Sequence, residues 1–278
     1  MKTSNQLIAL VRNLSKLKNV EAEVILRNFM LERLLERVAL SKYQNSFILK
    51  GGMLIAAMVG IDTRTTMDLD ATIKGQVLSE SEVADIVQDI LNVDVDDSVT
   101  FTLRDIEEIR EEADYPGYRV SIKAVMDKTR QTLKMDITTG DFVTPREIEY
   151  SFKLMFEDRT ISIMAYNLET VLAEKFETVI TRGIANTRMR DFYDIYVLTT
   201  TQVVDETIFR AALKKTVEMR NTVKQMAALD EVVQTVTAST VMVSLWQRYQ
   251  KKYSYAADIT WERVTHALKD MAGKADNV

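Results

Sequence analysis

Phe47-Ile48-Leu49-Lys50-Gly51-Gly52, continuing as Met53-Leu54-Ile55-Ala56-Ala57-Met58-Val59-Gly60, is the stretch on which the fold turns. The first apolar run is short, ends at a glycine turn and predicts a strand. The second run, Met53 to Val59, predicts a short buried helix that Gly60 stops. Working outward, Asp68-Leu69-Asp70-Ala71-Thr72-Ile73 alternates acidic or polar with apolar residues, as a strand with one face in a core does. Upstream, residues 5–43 carry a helical period, with Leu31, Leu34, Leu35 and Val38 at i, i+3, i+4 and i+7. Downstream, Ser79 is placed to cap a helix with Glu80 and Glu82 in its first turn and an end near Leu91. Further strands are expected at Val99 to Leu103, Tyr118 to Val125 and Thr132 to Ile137. From Asn167 onward the pattern is helical, with Gly183 the only glycine before Gly273 and no proline. These segments predict an α+β protein, a mixed sheet with flanking helices followed by an all-helical C-terminal half. The boundary is expected near residues 160 to 166, dividing the chain into 1–162 and 163–278.

Composition narrows the chemistry. The 278 residues are 46% hydrophobic, and 36 Lys plus Arg against 41 Asp plus Glu leave a net charge of −5. A globally basic coat for nucleic acid is excluded, although a local basic patch on an acidic body is not. Without cysteine there is no disulfide, thiol nucleophile or Cys-ligated zinc, and His266 is the single histidine. No signal-peptide pattern opens the sequence, and Met53 to Val59 falls far short of the roughly 20 apolar residues of a membrane span. The expectation is a soluble, cytoplasmic protein with no membrane partner.

Asp68 and Asp70 stand two apart in a strand, so both project from one face. Two neighbouring anions repel unless a cation lies between them, and Mg²⁺ takes carboxylate oxygens while keeping positions for phosphate. Asp136, between Met135 and Ile137, faces opposite its neighbours and reaches the same site if the two strands pair. Three such carboxylates can hold one or two metal ions. The alternative is an edge strand with solvated acids. Gly51-Gly52 shifts the balance, because backbone N–H groups at a glycine turn opening a helix can bind phosphate without obstruction by Cβ.

The ordered set of strand, Gly-Gly, short helix and Asp-x-Asp strand resembles the nucleotidyltransferase superfold of the DNA-polymerase-β type. More narrowly, Leu49-Lys50-Gly51-Gly52 followed by Arg64-Thr65-Thr66-Met67-Asp68-Leu69-Asp70 resembles the AbiEii/AbiGii toxin family of type IV toxin–antitoxin systems. Thr66 stands where that family usually has serine and keeps the hydroxyl.

The helical half adds a second block. Leu168, Val171, Leu172, Lys175, Phe176 and Val179 form one stripe with a lysine at its centre. Such a lysine must snorkel or meet anions, either a ligand phosphate or the carboxylate cluster. Residues 181–190 read as a loop with three arginines, suited to gripping phosphate or to surface ion pairs of Arg188 with Asp191 and Arg190 with Asp194. Lys175 and Arg190-Asp191-Phe192-Tyr193-Asp194 resemble the family's second block, a lysine followed by Arg-Asp-x-x-Asp. The resemblance implies an NTP-dependent nucleotidyltransferase toxin that releases pyrophosphate and uses Mg²⁺. It also implies a separately encoded antitoxin, a role in abortive infection, and RNA acceptors, with tRNA 3′ ends as the target. It makes Asp68, Asp70, Lys175 and Asp191 catalytic, with Asp68 and Asp70 on the metal and Asp136 added as a third ligand from its strand position. Gly51, Gly52, Thr66, Lys175 and Arg190 bind the nucleotide phosphates, and the helical half completes the active site. Alanine at Asp68 or Lys175 is expected to abolish transfer without unfolding the chain. A catalytically silent scaffold that binds nucleotide or protein is the alternative, and a kinase-like phosphotransfer that releases ADP is a third.

The segment Trp246-Gln247-Arg248-Tyr249-Gln250-Lys251-Lys252-Tyr253-Ser254-Tyr255 interleaves aromatics with cations. It suits either inward packing of the aromatics, the preferred reading, or stacking on unpaired bases. The acidic runs Asp94-Val95-Asp96-Asp97 and Glu107-Glu108-Ile109-Arg110-Glu111-Glu112 read as solvated faces.

Overall fold

In the computed structural model, residues 3–75, 78–109 and 117–275 are described. The chain divides into two compact units. One is Met1–Asp141 with Ile148–Ala165, and the other is Phe142–Glu147 with Tyr166–Val278.

The first unit is a seven-stranded mixed sheet with helices. Its elements are α1 (Ser4–Lys18), α2 (Ala22–Leu40), β1 (Phe47–Lys50), α3 (Gly51–Val59), β2 (Asp68–Ile73), α4 (Glu80–Leu91) and five further strands. These are β3 (Thr100–Glu108), β4 (Gly117–Met126), β5 (Thr129–Thr139), β6 (Ile148–Lys153) and β7 (Thr160–Ala165). The strand order is β3-β4-β5-β2-β1-β7-β6. β1 runs antiparallel to β2 and parallel to β7, and β2 runs parallel to β5. All four residues of β1 are buried, which fits a central strand covered on both faces. α4 begins with a capping box in which Ser79 and Glu82 exchange hydrogen bonds.

The expected strand at Asp68 to Ile73 and the expected N-cap at Ser79 are where the structure has them. β6 and β7 are not in the sequence reading. Both alternate, Ile148, Tyr150 and Phe152 against Glu149, Ser151 and Lys153 in β6, and Ile161 and Ile163 against Thr160 and Ser162 in β7, so the signal was present and was passed over. α3 begins at Gly51 itself rather than Met53, because the chain turns directly from β1 into the helix.

One reading of charge needs correction. The stripe Leu31, Leu34, Leu35 and Val38 is buried as expected, but so are Glu32, Arg33, Glu36 and Arg37 on the same helix. Asp97, read as solvated, is buried against Arg37, which donates to its two carboxylate oxygens at 2.7 and 3.0 Å. The reason is α2 itself: a helix covered on every side carries its cation inward, and the cation requires an anion there. Glu107 and Glu108 lie exposed on β3, while Arg110, Glu111 and Glu112 fall outside the described residues.

The second unit holds α5 (Leu168–Arg182), α6 (Met189–Thr201), α7 (Glu206–Met219), α8 (Val223–Met226), α9 (Leu229–Ala238), α10 (Thr240–Lys252) and α11 (Trp261–Lys274). The segment 142–147 belongs to it because Asn167, the N-cap of α5, donates to Thr144 O at 2.8 Å and Arg146 O at 3.0 Å. Arg182 closes α5 and Arg190 lies in the first turn of α6, so the expected three-arginine loop is mostly helix. Trp246 and Tyr249 are buried, the packing outcome for the aromatic segment. Among the described residues no helix is long and apolar enough to cross a membrane.

Candidate active site

The β1–α3 junction explains why two glycines are needed. Gly51 has φ +64°, and a Cβ there would lie 2.1 Å from Asp70 Oδ2. A Cβ on Gly52 would lie 2.7 Å from Thr66 Oγ1. Both positions therefore exclude a side chain, the first by backbone conformation as well. In the space so left, Gly52 N–H donates to Asp70 Oδ2 at 3.1 Å. Asp70 thereby occupies the positive end of α3, whose N-cap, Lys50, makes no side-chain cap hydrogen bond.

Pairing of β2 with β5 sets Asp70 beside Asp136, and Asp68 lies on the same face of β2. Asp68 is half-buried, and its pKa is raised by burial first, then by the charges of Asp70 and Asp136. Arg119 and Lys134 act in the opposite sense and do not cancel the rise. Asp136, the expected third ligand, is gripped by Arg119, whose Nε and Nη2 donate to its two oxygens at 2.8 and 2.7 Å. The pair is a direct cross-strand partner in the β4–β5 register. Among the described residues no three acidic or histidine side chains gather closely enough to hold one metal ion. Two carboxylates with substrate phosphates are nevertheless the usual protein contribution to Mg²⁺. Asp68 and Asp70, repelling one another beside a cradle that a Cβ would fill, fit that donor set.

Thr66, expected among the phosphate groups, donates its hydroxyl to Asp68 O at 3.1 Å and so fixes the entry into β2. Asn28 of α2 holds the same turn by donating to Thr66 O at 2.9 Å. Sequence reasoning assigned no role to Lys50 or Arg64. Lys50 Nζ donates to Thr138 Oγ1 at 2.7 Å and to Asp141, and buried Arg64 has Nη2 3.3 Å from where a Gly52 Cβ would stand. Both lie inside the Leu-Lys-Gly-Gly and Arg-x-Ser-x-Asp-Leu-Asp patterns, which is the signal that could have found them.

The second unit carries its own charged centre. Lys175 Nζ donates to Asp191 Oδ1 at 2.6 Å and lies 3.1 Å from Asp194 Oδ2. Both aspartates are sealed from solvent. Arg188 Nε stands 3.2 Å from Asp191 Oδ2, as the i, i+3 spacing suggested. Arg190 turns to the ring of Tyr253 and donates to its hydroxyl at 3.0 Å, rather than making the expected pair with Asp194. The lysine at the centre of the apolar stripe thus meets anions of its own unit.

The family model for the nucleotidyl transferase AbiEii toxin of type IV toxin–antitoxin systems matches residues 33–269. The chain belongs to this family. It is a nucleotidyltransferase of the toxin class, and membership implies a nucleotide substrate and a separate antitoxin. Among solved structures, it is similar to a Helicobacter pylori protein provisionally described as a nucleotidyltransferase. Identity there is 16% and the TM-score 0.52, covering 91% of this chain and 95% of that one. JHP933 from Helicobacter pylori is similar at 14% identity and TM-score 0.50, covering 92% of this chain and 94% of the other. These two likenesses concern the fold. No curated protein matches the sequence significantly.

Proposed function

We propose that this AbiEii-family chain transfers a nucleotidyl group from an NTP to an acceptor hydroxyl with Mg²⁺ on Asp68 and Asp70, and that the acceptor is RNA, at the tRNA 3′ end. The observation that carries the reading is the junction at which Asp70 accepts the Gly52 N–H beside a Gly51 that admits no side chain. The uncompensated Asp68 on the same face supports it, since charge held this way favours a bound cation. The chemistry supplied by bound Mg²⁺ is neutralisation of triphosphate charge and acidification of the acceptor hydroxyl.

The chain's own residues position the reactants. The glycine junction holds Asp70 in place through the Gly52 N–H, and Lys175 and Arg190 are assigned to the nucleotide by the family pattern. The acceptor oxygen bonds to the α-phosphorus as the α–β bridge opens, pyrophosphate leaves, and the hydroxyl proton passes to a neighbouring carboxylate. The RNA acceptor follows from the toxin family, as do cytoplasmic action and a role in abortive infection.

A screen of the four labelled NTPs with total RNA tests the proposal. Labelled RNA with matching pyrophosphate release is expected, and ADP release with no RNA label would overturn it. Asp68→Asn and Gly51→Ala should each lower transfer at least ~10²-fold in a chain with unchanged circular dichroism. Undiminished transfer in folded Asp68→Asn removes the metal assignment.

A further inference from the structure

The second unit has a basic, aromatic pocket of which the transfer reaction as described uses only Arg190. It is a surface hollow of about 450 Å³ lined by Arg188, Arg190, Arg248, Lys252, Tyr249 and Tyr253 among others, none of them acidic. On a chain of net charge −5, four cations around one hollow are a concentrated exception. Arg188, Arg248 and Lys252 are exposed, and Arg248 has no carboxylate partner among the described residues. The N-terminus of α6, a 13-residue helix, opens into the same hollow at Arg188–Arg190 and adds its positive pole.

Its aromatic wall is rigid. Tyr253 packs on Tyr249 with centroids 4.7 Å apart and on Tyr255 at 5.3 Å, and Tyr249 stacks on Trp246 at 5.3 Å. Trp246 is fixed in turn by donating to Ile259 O at 2.8 Å. Tyr253, only half-buried, is the outer member of this stack. Arg190 and Lys252 lie over its ring at 5.5 and 5.3 Å. Lys252 is exposed and can leave the ring for a phosphate, while Arg190 is tied to the tyrosine hydroxyl. A ring held from behind and edged by cations matches a nucleotide with a free base face and a charged backbone. An acidic peptide would use the cations and leave the ring idle.

We infer that this pocket binds a single-stranded stretch of the acceptor RNA, with backbone phosphates on Arg188, Arg248 and Lys252 and one unpaired base against Tyr253. The inference rests on the reading that the acceptor is RNA. It gives Arg188 a double position, on the pocket wall and 3.2 Å from Asp191.

The test is fluorescence anisotropy of the full chain with a short 5′-labelled single-stranded RNA across a salt series. Arg248→Ala/Lys252→Ala should weaken binding about tenfold and make the slope of log affinity against log salt shallower by about 1.4. Magnesium–NTP binding should be unchanged. Tyr253→Leu should weaken binding about fivefold or more, and an abasic oligomer should be insensitive to that change. Unchanged RNA affinity and salt slope in the double variant overturn the site, as does polyglutamate competing as well as RNA of equal charge. If the double variant loses RNA binding while the wild type labels no RNA, the site stands and the acceptor reading falls. If transfer to RNA persists undiminished in the double variant, the reverse holds.

Discussion

In the helical unit Asp191 and Asp194 are sealed from solvent and Lys175 serves both. In the sheet unit Asp68 and Asp70 are half-buried, and among the described residues neither has a Lys or Arg within ion-pair distance. The first arrangement is electrically closed, because the chain supplies the counter-charge for its own acids. The second is open. Its carboxylates lie on one strand face, and after burial the charges of Asp70 and Asp136 raise the Asp68 pKa further. The difference separates the two blocks of the family pattern by physical task. The sequence reading had Lys175 replaceable without unfolding, and its contacts with two buried aspartates make that expectation the one to test.

Three measurements can break or sharpen that contrast. The largest effect is expected from Lys175→Met. It removes the cation shared by two buried carboxylates and should cost about 3–5 kcal/mol in urea unfolding. A change below about 1 kcal/mol would mean that the helical centre is not closed by this lysine.

Glu32→Gln probes the sheet unit's tolerance for uncompensated acid. Burial raises the Glu32 pKa to about 8, despite the Met155 N–H and Arg33, which both act to lower it. A carboxyl with a raised folded pKa gives stability that is full below the unfolded value near 4.5 and is lost as pH rises through about 8. The glutamine, which can still accept from Met155 N–H, should match the wild type at pH 4. At pH 9 it should exceed it by on the order of 2–4 kcal/mol. Equal melting temperatures for the two proteins at both pH values would show that Glu32 ionises without penalty.

The smallest effect belongs to Asp68→Asn without ligand. The Asp68 pKa is raised, so its ionised form weakens the fold as pH climbs above the ordinary carboxylate range. Asparagine should raise the melting temperature slightly at pH 7 and not at pH 3. It should also abolish the further rise that Mg²⁺ with an NTP gives the wild type. A variant that keeps this ligand-dependent rise would place the cation elsewhere.

Much of the sheet unit was legible in the chain because its signals are local. Alternation marked β2, the Ser79 box marked α4, and the glycine pair marked the β1–α3 turn. β6 and β7 carry the same period-two alternation and were legible too, although the sequence reading passed over them. The fate of Asp136 was not legible at all. Its partner Arg119 is set by the β4–β5 register, a long-range choice invisible in either strand alone. Lys175 was visible as an anomaly, a cation in an apolar stripe, but which anions it meets depends on how α5 packs on α6.

The order of residues along the chain thus determined the element types, the carboxylate pair on one strand face and the family. Periodicity, turn chemistry and motif spacing act over a few residues, and the covalent sequence carries them whole. Tertiary structure alone decided which charges are spent on each other and which stay available to a ligand. Electrostatic pairing falls off over a few ångströms of space, and distance along the chain does not reveal it.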